Sequence, residues 1–156
     1  MSNQKPKNKP KTDFRKSAGI IVFRNKNGAR GAREYLLLEY GENGHWDYAK
    51  GGIERNENEK QAAIRELREE TGLAEFKFVE GFKESLHYFF RDKKRLVSKT
   101  VVFFLGEVPF KSKVTLSFEH SKFVWLPFEE ALRRATFNNA KEMLRKAEEF
   151  LKAKEK

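Results

Sequence analysis

The sequence predicts a single mixed α/β domain, with a central mixed β-sheet and helices on both sides. Three observations predict it. Short runs rich in β-branched, aromatic and leucine residues alternate with amphipathic helical stretches along 156 residues, the pattern of a layered α/β domain. That length suits one domain with a sizeable core of its own. Cysteine is absent, which excludes disulfides, thiolate metal sites and cysteine nucleophiles, and fits a reducing compartment.

The elements follow in order. Residues 1–16 hold Lys5, Lys7, Lys9, Lys11, Arg15 and Lys16 against Asp13, half of the formal net charge of +10. With almost no apolar residues, 1–14 reads as a disordered basic tail and 15–156 as the folded domain. The tail is a solubilising segment or, on the sharper reading, a weak contact for RNA or the ribosome. SAGIIVFR (17–24) reads as a strand, NKNGARGAR as a loop, and EYLLLEY (34–40) as a strand buried on both faces. HWDYAKGG leads from a glycine turn towards the first helix. Residues 76–91 and 96–108 read as two long strands joined by a charged hairpin turn, and KFVWL (122–126) as another. Pro127 stands near the start of a short helix. The closing stretch from Asn138 is amphipathic, with Ala140, Leu144, Ala147 and Leu151 on one stripe. No run of about 18 apolar residues offers a membrane helix. The N-terminus lacks a hydrophobic signal core, so the cytoplasm is the expected location.

The stretch IRELREETGL (64–73) carries the chemistry. As a helix over about 58–70, capped by Asn56 or Asn58 and ended by Gly72, it sets Glu66, Glu69 and Glu70 at i, i+3 and i+4. Like charges so spaced destabilise a helix by a few tenths of a kcal/mol per pair. Ala63, Ile64 and Leu67 fall beside this acidic stripe, with Glu59 on the acidic side, so the carboxylates line the edge of the core contact. Arg65 and Arg68 point elsewhere. A solvated helix with Arg65–Glu66 and Arg65–Glu69 pairs is the plain reading. A hard divalent cation taking oxygen ligands is the other, since it turns the repulsion into affinity.

From Gly51 the chain reads Gly, five residues, Glu57, seven residues, then RELREETGL. This resembles the Nudix box at each defined position: Gly51, Glu57, Arg65, Glu66, Leu67, Glu69, Glu70, Gly72 and Leu73. The resemblance implies a Nudix-type α/β/α sandwich that hydrolyses nucleoside diphosphates linked to another moiety with Mg²⁺ or Mn²⁺. It implies that Glu66, Glu69 and Glu70 supply metal ligands and the base. It also implies that Glu57 and Arg65 hold the loop and helix in register, and that the Gly51 carbonyl approaches the metal.

The flanks EYLLLEYGENGHWDYAKGGIE, EGFKESLHYFFR, KTVVFFLGEV and LSFEHSKFVWLPFEEAL are similar to the asymmetric diadenosine tetraphosphate hydrolases of that family, through about residues 17–151. By that resemblance His45 and Lys50 bind the polyphosphate, Glu119 adds a metal ligand, and Tyr88 and Phe137 sandwich an adenine. His120 is expected to support the site. Phe89, Phe90 and Trp125 are expected in the core. The implied reaction is metal-dependent hydrolysis of a dinucleoside polyphosphate, chiefly diadenosine tetraphosphate to ATP and AMP. Two departures separate the chain from these relatives: Ala49-Lys50-Gly51 where they read Pro-Lys-Gly, and Arg55-Asn56-Glu57 where they read Pro-Gly-Glu. WDYAKGG leans towards enzymes that trim RNA 5′ ends, so an RNA 5′-pyrophosphohydrolase is the alternative. The intact acidic positions speak against a non-catalytic nucleotide sensor.

Overall fold

A computed structural model describes residues 12–28, 31–42 and 44–156. The expected disordered tail therefore lies outside the described residues up to position 11. Its boundary is corrected beyond that point: the first strand, β1 (Asp13–Asn25), starts four residues before the expected Ser17. The reason is partner length, because β1 runs parallel to β7 (Arg95–Glu107) from Asp13↔Val97 to Phe23↔Glu107.

Among the described residues eight strands form one sheet. β2 (Arg33–Tyr40) lies antiparallel to β8 (His120–Pro127) along one edge and, along the other, to β1 beside its first residues and to β3 (His45–Asp47) beside its last. β4 (Ala49–Gly52) pairs with the middle of β1, Ser17 to Ile20, and β5 (Lys77–Phe78) and β6 (Glu84–Asp92) both pair with β7. The one parallel pair among antiparallel ones makes the sheet mixed, as expected. The expected single strand over 76–91 is two strands separated by a turn at Glu80 and Gly81, and HWDYAKGG contains two short strands rather than a connection.

Helix α1 (Glu59–Thr71) covers one face, burying Ala62, Ala63 and Leu67 against Ala18, Ile20, Val22, Val102 and Phe104. Helices α2 (Phe128–Arg134) and α3 (Asn138–Lys154) cover the other, where Met143, Leu144, Ala147 and Leu151 pack with Ile21, Tyr35, Leu37, Phe103 and Leu105. Alternation along β1 sends even-numbered residues to α1 and odd-numbered ones to α3. Deep under α3, Arg33 donates to Glu148 at 2.9 Å, and Tyr35 donates to the same carboxylate. Among the described residues no helix is long and apolar enough to cross a membrane.

Candidate active site

The helix holding the acidic residues is fixed at both ends. Asn58 caps it: its side chain accepts from Gln61 N–H at 2.8 Å while the Gln61 side chain accepts from Asn58 N–H at 2.8 Å, a closed capping box. Gly72, at φ 72°, ends it in the left-handed region. Thr115 and Ser117 donate their N–H groups to the carbonyls of Thr71 and Glu70 at 2.8 and 3.2 Å. The segment carrying Glu119 is thereby tied to the end of the helix, although it lies nearly fifty positions away in sequence.

Around this junction is a cleft of about 550 Å³, lined by Tyr40, Lys50, Gly51, Glu66, Glu69, Glu70, Ser117, Phe118 and Glu119. Glu69 and Glu119 are exposed, Glu66 is half-buried, and Glu70 is only 4% exposed. Glu70 accepts from the Lys50 backbone N–H at 3.1 Å and from the Tyr40 hydroxyl at 3.4 Å. Burial, followed by the neighbouring Glu66 charge, pushes its carboxyl up to about 8, against the pull of the Lys50 N–H. Burial raises Glu66 as well, with Arg65 opposing.

The oxygen-rich donors suit a hard divalent cation. Ligand atoms of Glu70, Glu119 and His120 lie within 4.8 Å of one another. His120 Nε2, buried and without a hydrogen-bond partner among the described residues, stands 3.4 Å from Glu70 Oε1. Burial lowers the His120 pKa from its ordinary value, against the Glu39 carbonyl and the Glu119 charge. Its edge meets the Tyr40 ring at 4.2 Å, in keeping with a supporting position.

Gly51 and Glu66 fit closely. A Cβ on Gly51 would lie 2.1 Å from Glu66 Cδ, so only glycine lets β4 pass that carboxylate. Gly51→Ala is expected to leave the fold intact, because a side-chain end can swing away, while displacing Glu66 and lowering turnover about a hundredfold. Circular dichroism together with steady-state rates checks this. Unchanged turnover would mean that Glu66 need not lie there.

Arg65 reaches back towards the acidic residues rather than away from them. Its Nε and Nη2 donate to Glu57 at 3.1 and 2.7 Å, and Nη2 also donates to the Gly52 carbonyl at 2.8 Å. Nη1 donates to Glu66 at 2.9 Å and Glu69 at 3.3 Å. A planar fork joins loop and helix in this way. Both ion pairs of the plain reading therefore exist, alongside the cleft. Glu57 does not line the cleft; Arg65 holds its carboxyl below the ordinary range. Glu59 pairs with Lys16 and Lys83 at 2.9 and 2.8 Å and also stands outside it.

A second cleft of about 390 Å³ adjoins the first, and Lys50 lines both. Its wall includes His45, Asp47, Leu86, Tyr88, Phe103 and Phe137. His45 stacks on Tyr40 with centroids 5.5 Å apart and planes 6° from parallel, and it faces Phe137 at 5.3 Å. Phe137 is half exposed at the start of α3, and Tyr88 is half-buried on the cleft side of β6. Lys50 Nζ bridges to the buried Asp47 at 2.8 Å. The structure thus brings His45, Lys50, Tyr88 and Phe137 together beside Gly51, Glu66, Glu69, Glu70 and Glu119.

The aromatic run of β6 corrects the expected core placement. Tyr88 and Phe90 are half-buried, and Phe89 is 60% exposed on the opposite face, because β6 is covered on one side only. Trp125 is half-buried too, under the Arg24 guanidinium at 4.3 Å. Sequence reasoning missed Tyr40 and Asp47. Asp47 carried a weak signal, three residues before Lys50; Tyr40 carried none.

A NUDIX domain model matches residues 13–147. The mouse (Mus musculus) bis(5′-nucleosyl)-tetraphosphatase (asymmetrical) is 35% identical over 143 residues, covering 87% of this chain and 95% of that protein. The crystal structure of a C. elegans Ap4A hydrolase binary complex superposes with a TM-score of 0.78 at 32% identity, covering 89% of this chain and 98% of that one. An RNA pyrophosphohydrolase of Bartonella tribocorum is 33% identical over 82 residues, covering 51% of this chain and 46% of that protein.

Proposed function

From the premise that this chain belongs to the NUDIX family, we propose that it is a metal-dependent pyrophosphohydrolase of dinucleoside polyphosphates, chiefly cleaving diadenosine tetraphosphate to ATP and AMP. One observation carries the reading: an acid-lined cleft and an aromatic cleft meet at a single lysine, Lys50. A polyphosphate flanked by a nucleoside has that same division of chemistry. The mouse and C. elegans relatives named for this activity support the substrate class.

Glu66, Glu69, Glu70, Glu119 and the Gly51 carbonyl are the groups that would hold Mg²⁺ or Mn²⁺. When bound, the cation supplies charge to neutralise phosphate oxygens and lowers the pKa of a coordinated water. Lys50 gives a compact positive charge to the phosphate chain, and Asp47 accepts from its ammonium at 2.8 Å. His45, stacked on Tyr40 and tilted against Phe137, donates to a flanking phosphate. Tyr88 and Phe137 take an adenine between them, each stack contributing about 1–3 kcal/mol. The carboxylate ridge accepts the proton of the attacking water. Arg65 and Glu57 keep that ridge in register and touch no substrate.

The metal-free site carries a pH signature. Glu70, raised to about 8, disfavours ionisation in the folded chain. Its contribution to stability is greatest at low pH and is lost as pH rises from its ordinary value through about 8. A cation that binds the ionised form reverses this. Adding Mg²⁺ is therefore expected to raise the thermal midpoint more at pH 8.5 than at pH 6, and its apparent affinity to fall by up to about tenfold per unit below pH 8. Thermal denaturation with and without MgCl₂ at the two pH values checks this, and equal gains would count against a protonated Glu70.

The RNA 5′-pyrophosphohydrolase reading rests on the shorter similarity to the Bartonella protein. Hydrolysis in ¹⁸O-water across diadenosine tetraphosphate and 5′-triphosphorylated RNA decides between the two. Faster cleavage of the dinucleotide, with labelled AMP or ATP, supports the proposal. Preference for the RNA overturns it in favour of the alternative. Binding without cleavage of either overturns both.

A further inference from the structure

We propose that the arm formed by the start of β1, β7 and β6 is a docking surface for single-stranded nucleic acid, separate from both clefts. Phe14 of β1 and Phe89 of β6 are each registered opposite Ser98 of β7. Residues paired across a ladder share a face, so both rings project from the same side, roughly 10 Å apart at two strand spacings. Phe14 is 79% exposed and Phe89 60%. The outer face of a half-covered sheet ordinarily carries polar residues; here one row carries two phenylalanines. His87 steadies one of them, meeting the Phe89 ring edge-on at 4.7 Å while its Nε2 hydrogen-bonds to Ser98 Oγ at 2.6 Å.

The charge around the rings selects a polyanion. Lys16 and Arg91 extend from the same face, and Lys93, Lys94 and Arg95 follow at the hairpin end. The carboxylates of the arm, Asp13 and Asp92, alternate to the opposite face, where Arg15 holds both at 3.0 and 3.1 Å. Glu59, which Lys16 reaches from this face, is paired with Lys83 as well. Exposed aromatics on the two strands that flank β7, with a basic rim, form a platform on which unpaired bases stack while the rim meets the phosphates. A duplex hides its base faces and does not fit. A second copy of this chain would set like charges against each other.

The test measures fluorescence anisotropy of a 5′-fluorescein 12-nucleotide RNA with the full chain and with the Phe14→Ala/Phe89→Ala variant. The wild type is expected to bind in a salt-dependent manner. The double variant is expected to bind at least tenfold more weakly with an unchanged thermal midpoint, and Phe14→Tyr/Phe89→Tyr to restore binding. The proposal is overturned if the wild type does not bind, if the alanine variant binds equally well, or if duplex RNA competes as effectively as single-stranded RNA. It is also overturned if sedimentation shows a dimer that the alanine variant dissolves, since the face would then be occupied by a second copy.

Discussion

Glu70→Gln is expected to lower turnover by about 10²–10⁴-fold while raising the thermal midpoint. The two effects have one cause. Glu70 is almost fully buried, beside Glu66, and its carboxyl is pushed up to about 8. Under the proposed cation role, function needs the charge at this position, whereas folding is hindered by it. Glutamine keeps the shape and the oxygen that accepts from the Lys50 N–H. Its amide gains a donor for His120 Nε2, the buried nitrogen that lacks a partner among the described residues. It also removes the repulsion from Glu66. Steady-state rates paired with thermal denaturation in chelator check both halves. A variant that is inactive and also less stable would mean that Glu70 is ionised and structural, which would undo its assignment as a cation ligand.

Arg65→Ala should be nearly as damaging to activity, through loss of stability and of alignment together. The guanidinium donates to Glu57, Glu66, Glu69 and the Gly52 carbonyl. Its removal leaves those carboxylates facing one another without a counter-charge and unties the loop before α1 from the helix. Turnover is expected to fall about a hundredfold through misplacement of Glu66, and the thermal midpoint by several degrees. Arg65→Lys keeps the charge but not the fork and should lie between. Equal behaviour of the lysine variant and wild type would mean that charge alone suffices and the planar geometry is dispensable.

The ease of reading these residues from sequence follows from how local they are. Glu66, Glu69 and Glu70 sit on one helix, and the cap at Asn58 and the stop at Gly72 lie within fifteen positions. Spacing alone thus conveys their mutual placement. Helix periodicity points Arg65 away from the acids because it gives only the direction of Cβ, while a long guanidinium stem reaches round to acids on the next face. β3 and β4 read as a connection in the sequence because three- and four-residue strands are too short to show alternation. Tyr40 contributes to the site only because the bulged pairing of β2 and β8 brings it beside His120, a long-range event with no local signature. The exposure of Phe89 depends on which face of β6 lacks a covering helix, which strand pattern does not specify.

The parallel pairing of β1 and β7 bears on how the chain is made. Asn25 donates to Glu107, 82 residues away, at the far end of that ladder. At a synthesis rate of 5–20 residues per second, roughly 4–16 s separate the appearance of the two partners. Throughout that interval the apolar segment Ala18–Phe23 has no mate on its β7 side, the condition under which newborn chains recruit chaperones or stick to one another.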